Sequence, residues 1–196
     1  MEQPTTQLSE RFEQALVYAF QLHARQLRKG SHIPYIAHLL GVTALVLEDG
    51  GSEDEAIAAL LHDAVEDQGG LPILEEIRRR FGSQVAEIVD GCTDSYYQPK
   101  PPWLQRKEHY LEHLQSASPS VRRVSLADKL HNARSILANL RTSGLRTWDR
   151  FNGGREGTLW YYRRLVQIFQ QVETSPLVDE LARVVAEIEL WAAEDE

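Results

Sequence analysis

Between residues 60 and 67 the chain reads LLHDAVED, so four ionisable groups, His62, Asp63, Glu66 and Asp67, stand among leucine, alanine and valine. Charge on an apolar helix needs a partner, because burying an unpaired charge is costly. Two other stretches carry residues of matching type: HIPYIAHLLGV holds His38, and VSLADKLHNARSIL holds Asp128. If the three stretches converge, two neutral imidazoles and two carboxylates suit a divalent ion of borderline hardness, with Mn²⁺, Fe²⁺ and Zn²⁺ all admissible on ligand type. Adjacent His62 and Asp63 lie about 100° apart around a helix, so both reach one ion only at a helix end or a distortion. Taken alone, an HD dipeptide is more simply a buried salt-bridging pair.

The elements that must bring these residues together are helices. Apolar residues recur at helical spacing in Phe12, Ala15, Leu16, Ala19 and Leu22, in Leu39, Val42, Leu45 and Val46, and in Ile57, Leu60, Leu61 and Val65. Good strand signals are absent, and RKGSHIPY, LEDGGS, EDQGGLP, YYQPKPP, SASPS and FNGG mark the turns. The pattern predicts an all-α, compact bundle of about eight helices, with Ser9 and Ser52 as N-caps. The acidic end, WAAEDE, reads as a fraying helix terminus.

Composition narrows the class. The 196 residues suit one domain, and 42% hydrophobic with 26% charged residues is ordinary for a protein that folds in water. No apolar run approaches the roughly 20 residues of a membrane span, and the N-terminus lacks the basic start and apolar stretch of a signal peptide. The single cysteine, Cys92, has no intrachain partner, so the expected location is cytoplasmic. A formal net charge of −8 argues against broad nucleic-acid binding, while local basic patches can still receive a small polyanion.

In order along the chain, HARQLRK (23–29), PYIAH (34–38), LLHDAVED (60–67), FGSQVAEIVDGCTD (81–94) and LADKLHNARS (126–135) resemble the HD-domain metal phosphohydrolases. More closely, they are similar to the hydrolase domain of RelA/SpoT homologues, including stand-alone small alarmone hydrolases. The resemblance runs over roughly residues 10 to 140 of one domain spanning 1–196, and 141–196 is a less diagnostic helical C-terminal part. It implies an all-helical Mn²⁺ enzyme, other divalent ions being possible, that removes the 3′-pyrophosphate of guanosine tetra- and pentaphosphate to give GDP or GTP and pyrophosphate. It makes His38, His62, Asp63 and Asp128 the metal ligands and Glu66 and Asp67 the pair that handles the attacking water. Helical spacing agrees for Glu66, one turn beyond His62 and Asp63, although a solvated helix end beside Gly69 and Gly70 fits the same pair. Two alternatives stay open: another nucleotide as substrate, such as the 2′-phosphate of NADPH, and a noncatalytic alarmone sensor.

The resemblance also implies substrate contacts from Arg28, which can stack on a base, from Lys29 near phosphate, and from Asn132 at ribose or base. A blander reading makes Arg28 and Lys29 the exposed end of a helix. His23 reads as a packing histidine. His109 and His113 lie with Arg106, Lys107, Glu108 and Glu112 on a solvated helix face. Lys129 and Arg134 are secondary candidates for the substrate entrance, Arg155 is open as a phosphate grip, and Trp160 and Tyr161 read as packing aromatics. The partner expected is a small nucleotide, with neither nucleic acid nor membrane; oligomeric state is not legible. HLLGV departs from the family's usual proline after the histidine, and GSHI separates Lys29 from PYIAH, changes that spare the ligand and reshape the base pocket.

Overall fold

Ser52 accepts a hydrogen bond from the Glu55 amide while the Glu55 carboxylate accepts one from the Ser52 amide, a reciprocal cap that starts a helix at Glu53. A computed structural model describes residues 6–96 and 99–193 of the chain. Among these residues it contains ten α-helices: α1 (Glu10–Leu22), α2 (Ile36–Glu48), α3 (Glu53–Leu61), α4 (Ala64–Gln68), α5 (Leu71–Phe81), α6 (Ser83–Cys92), α7 (Trp103–Ser116), α8 (Pro119–Ser143), α9 (Gly154–Val172) and α10 (Pro176–Ala193). A 3-10 helix, Gly144–Arg150, joins α8 to α9. The fold is all-α, and the one extended pairing among the described residues is an isolated bridge between Leu27 and Pro34. Helices outnumber the expected eight because apolar stretches break internally. Gly82, at φ +95°, divides α5 from α6, and the HD dipeptide divides α3 from α4. Of the WAAEDE end, residues 194–196 lie outside the described residues.

Helix α3 is the centre. Every residue from Ala56 to Leu61 is fully buried, enclosed by α1, α2, α6 and α8. Burying each of Ile57, Leu60 and Leu61 contributes about 1.5–3 kcal/mol. Helix α8, at 25 residues, is the longest element and packs against α2, α3, α6 and α10. Its residues Val124 to Asp128 are all buried, so a carboxylate sits inside the bundle on a helix surrounded by others. Ser9 caps α1 as expected, accepting from the Arg11 amide.

A polar clasp fixes α3 against α8. The buried Glu55 carboxylate also accepts from Arg123 at 2.7 Å, Arg123 bonds Asp49 at 3.1 Å, and Ser175 donates to Asp49 at 2.5 Å. The ends of α2, α3 and α10 are thereby tied to one guanidinium on α8. Removing one partner of such a set strands the others. Glu55→Ala is expected to cost about 2 kcal/mol and lower the melting temperature by about 4–8 °C, read by circular dichroism.

Candidate functional site

The helix break predicted at the HD dipeptide is present. Helix α3 ends at Leu61, His62 forms its C-cap, and Asp63 occupies the N-cap position of α4 at φ −95°, ψ −3°. The turn therefore aims two neighbouring side chains at the same point. His38 comes from the first turn of α2, and Asp128 from the buried middle of α8. His38, His62 and Asp128 each offer a ligand atom, all within 4.8 Å of one another. The Asp63 Oδ2 lies 3.0 Å from His62 Nε2 and 3.6 Å from His38 Nε2, so the fourth predicted residue borders both imidazoles.

The chemistry of this set favours a cation. His62 Nδ1 lies 2.8 Å from the Ala59 carbonyl, to which it donates, and this leaves Nε2 to face the carboxylates. The Nε2 atoms of His38 and His62 are buried without a hydrogen-bond partner, although Asp128 Oδ1 stands 3.2 Å and 3.6 Å away. Burial alone would disfavour a charged His62, but the Asp63 and Asp128 carboxylates outweigh it and hold the His62 pKa well above its ordinary value. Both carboxylates are in turn held well below theirs against the cost of burial, Asp63 by the His62 charge and Asp128 by the Lys129 charge and its histidine contacts. The cluster thus requires positive charge at its centre, which either a proton on His62 or a divalent ion supplies.

Neighbouring side chains orient these groups, and two of them, Tyr35 and His131, were unassigned by sequence. Tyr35 donates to Asp63 Oδ2 at 2.5 Å, and its ring stacks on that of His23 with centroids 5.2 Å apart. His131 Nδ1 lies 2.9 Å from His38 Nδ1. Burial, with His38 beside it, pushes the His131 pKa down to about 4. Asn132 donates to Asp128 Oδ1 at 2.5 Å, and Lys129 to Asp128 Oδ2 at 2.6 Å. His23 is a buried packing residue, as expected, with Nδ1 2.7 Å from Gln26 Oε1.

Beside the cluster opens a cavity of about 530 Å³. Arg28, Lys29, Asn132 and Glu66 all line it, so the three expected substrate contacts and one member of the carboxylate pair share one space. Arg28 donates to Asn132 at 2.8 Å, and Lys29 to Asn152 at 3.1 Å. The helix-end reading of these two cations does not hold: α1 stops at Leu22, and Arg28 and Lys29 sit in the turn closed by Arg28 N–H to the Ile33 carbonyl at 2.9 Å. Residues 30–33, GSHI, complete that turn.

Glu66 and Asp67 lie on the short helix α4, where Lys100 binds Glu66 at 2.7 Å and approaches Asp67 at 4.0 Å. Gln26 donates to Asp67 at 2.7 Å. Burial, then the nearby Asp63 charge, push the Asp67 carboxyl up to about 6. A carboxyl titrating there can exchange a proton near neutrality.

Several expectations change. Arg106 and Lys107 are not solvated: both pair with Asp94, Lys107 at 2.8 Å, and all three line the cavity. The missed signal was Asp94 at the end of FGSQVAEIVDGCTD, an acid needing partners. His109 and His113, on the same helix, are exposed as expected. Lys129 lines the cavity, but Arg134 binds Glu180 on α10 at 2.5 Å on the surface. Arg155 lies 3.9 Å from Glu156 and does not line the cavity, which receives Arg150 and Asn152 instead. Tyr161 is buried among aromatics, with Trp103 6.4 Å away between centroids, and also forms cavity wall.

An all-helical bundle with His38 from α2, Asp128 from α8, and His62 and Asp63 from the turn between α3 and α4 is the arrangement of an HD domain, and the sequence pattern of that family matches residues 15–159. The chain belongs to the HD-domain family. Among its relatives, a guanosine-3′,5′-bis(diphosphate) 3′-pyrophosphohydrolase MESH1 from Xenopus tropicalis is 40% identical over 126 residues, 63% of this chain and 68% of the relative. The Homo sapiens protein of the same name is 38% identical over the same shares. A solved structure, described as a metazoan ortholog of SpoT that hydrolyses ppGpp and plays a role in starvation responses, superposes with a TM-score of 0.78. It is 26% identical, and the match covers 93% of this chain and 97% of that one. No helix of the described residues is long and apolar enough to cross a membrane.

The raised Asp67 pKa has a stability signature. In the metal-free protein the folded state holds this proton at pH values where the unfolded chain has lost it, so stability falls as pH rises from about 4 to about 6. Asp67→Asn is expected to match the parent near pH 4 and to exceed it by about 1 kcal/mol at pH 7, solvent screening of the partly exposed carboxyl being allowed for. Urea unfolding across that range measures the difference.

Proposed function

We propose that this protein is a divalent-metal-dependent hydrolase of guanosine tetra- and pentaphosphate, releasing pyrophosphate with GDP or GTP. The observation that carries the reading is the adjacency of the buried His38, His62 and Asp128, with half-buried Asp63 at their edge, to a cavity ringed by cations in a chain of net charge −8. Arg28, Lys29, Arg106, Lys107, Lys129 and Arg150 line that cavity, and a substrate bearing two diphosphates is the kind of ligand such a ring compensates. Relatives named for this activity, at up to 40% identity, support the same substrate.

In this reading His38, His62, Asp63 and Asp128 hold the ion, and Mn²⁺ is the metal we assign. A bound divalent cation supplies positive charge that polarises a phosphoryl oxygen and acidifies water. The remaining work falls to the protein. Glu66 orients the attacking water, and Asp67 accepts its proton as the new bond to phosphorus forms. The bond from that phosphorus to the ribose 3′ oxygen breaks, and the 3′ oxygen ends protonated. Lys100, held between the two carboxylates, keeps their negative charges from repelling the incoming phosphates. Arg28 offers its guanidinium plane to the base, Lys29 its charge to phosphate, and Asn132 its amide to the sugar or base. Residues 1–196 act as one domain, and the free thiol of Cys92 fits a cytoplasmic setting.

The test is turnover of ppGpp by metal-stripped protein resupplied with Mn²⁺, with GDP and pyrophosphate resolved and NADPH run in parallel. Metal-dependent release of both products is expected. Asp63→Ala should bring turnover to background, and Glu66→Ala should keep the metal while losing about 10²–10⁴-fold in rate. Turnover of NADPH alone would move the substrate to another phosphorylated nucleotide, and tight ppGpp binding without turnover in any divalent metal would make the protein a sensor.

A further inference from the structure

His131 is a half-buried histidine on α8 to which the proposed reaction gives no task. It faces His38 with ring centroids 4.8 Å apart, and the two Nδ1 atoms lie 2.9 Å from each other. That contact is a hydrogen bond only if one nitrogen carries hydrogen and the other does not. His38 can present a lone pair from Nε2 to the cluster only when its own hydrogen sits on Nδ1. The His131 Nδ1 must then be bare, with the His131 hydrogen on Nε2. One arrangement of protons satisfies both rings.

The approach of the two rings depends on Gly41. A Cβ at that position would stand 2.4 Å from both Cδ2 and Nε2 of His131. Helix α2 therefore carries, one turn apart, the histidine that faces the cluster and the glycine that leaves a slot for its partner. A side chain at position 41 would drive the His131 ring away from His38. The remaining predicted ligand histidine, His62, solves the same problem differently, through the Ala59 carbonyl.

We propose that His131 is a positioning residue for the cation site: it accepts the His38 Nδ1 hydrogen, and so fixes both the tautomer and the tilt of that imidazole. The inference rests on the cation-binding reading given above. Groups that accept from a ligand histidine raise its basicity and hold its ring, and their removal weakens metal binding about 10- to 100-fold.

The experiment is calorimetric titration of Mn²⁺ alone into the metal-stripped full chain, with thermal melts of each metal-free protein beside it. His131→Leu keeps bulk but offers no acceptor, and it should weaken binding about 10- to 100-fold. His131→Asn places an amide oxygen near the lost Nδ1 and should restore affinity to within about threefold of the parent. Gly41→Ala should weaken binding as His131→Leu does. Equal affinity of the parent and His131→Leu, or an Asn variant as weak as the Leu variant, overturns the proposal while leaving the cation site standing. No Mn²⁺ binding by the parent overturns both. Should the Leu variant not fold, nitrogen NMR of the Zn²⁺-loaded parent decides: hydrogen on His38 Nδ1 and on His131 Nε2 is expected, and hydrogen on His131 Nδ1 defeats the assignment.

Discussion

Four hydrogen-bond acceptors, the Nε2 atoms of His38 and His62 and the carboxylates of Asp63 and Asp128, face one another inside a helical bundle, and the architecture answers to that constraint. Without positive charge among them the arrangement is strongly unfavourable. The fold resists relaxing it. Helix α3 is buried on all sides, so His62 and Asp63 at its end cannot withdraw. Asp128 lies in a stretch of α8 with no solvent-facing side. Tyr35, Asn132 and Lys129 each bond an aspartate oxygen from a fixed direction. The packing energy of a hydrophobic core is thereby converted into a fixed demand for a small cation.

Charge is segregated in a way that composition conceals. The chain is acidic as a whole, yet six basic side chains line one cavity, and several of them are tied to acids that hold them in place: Arg106 and Lys107 to Asp94, Lys129 to Asp128. Excess acid elsewhere leaves the cavity the favoured place for a small polyanion.

Much of the site was legible from residue types. The HD dipeptide demanded a helix break, and the chain supplies one between Leu61 and Ala64; Ser52 and Glu55 spelled out a capping box. Helical periodicity gave the all-α class. What escaped were residues whose role depends on which side of a helix meets a cavity. Arg106 and Lys107 share α7 with exposed His109 and His113, and only tertiary packing separates the two faces. Arg134 and Lys129 share α8, and one reaches the surface while the other is enclosed. Tyr35 and Gly41 carry no charge to draw notice, and their importance lies in what they touch. The 3-10 segment, Gly144–Arg150, escaped pattern reading because at 7 residues it spans too few turns for its period of three to show.

Helix α8 sets Asp128, Lys129, His131, Asn132 and Ser135 along a single rigid rod, each in contact with the cluster or the cavity or with a residue that is. An inserted or deleted residue within that rod would rotate everything beyond it by about 100° and shift it by about 1.5 Å, misaligning these groups together. The connection from Gly144 to Gly153, where the helical register ends, carries no such penalty. A change of length there would move the cavity's outer wall, through Arg150 and Asn152, and leave the groups from Asp128 to Ser135 in register with one another.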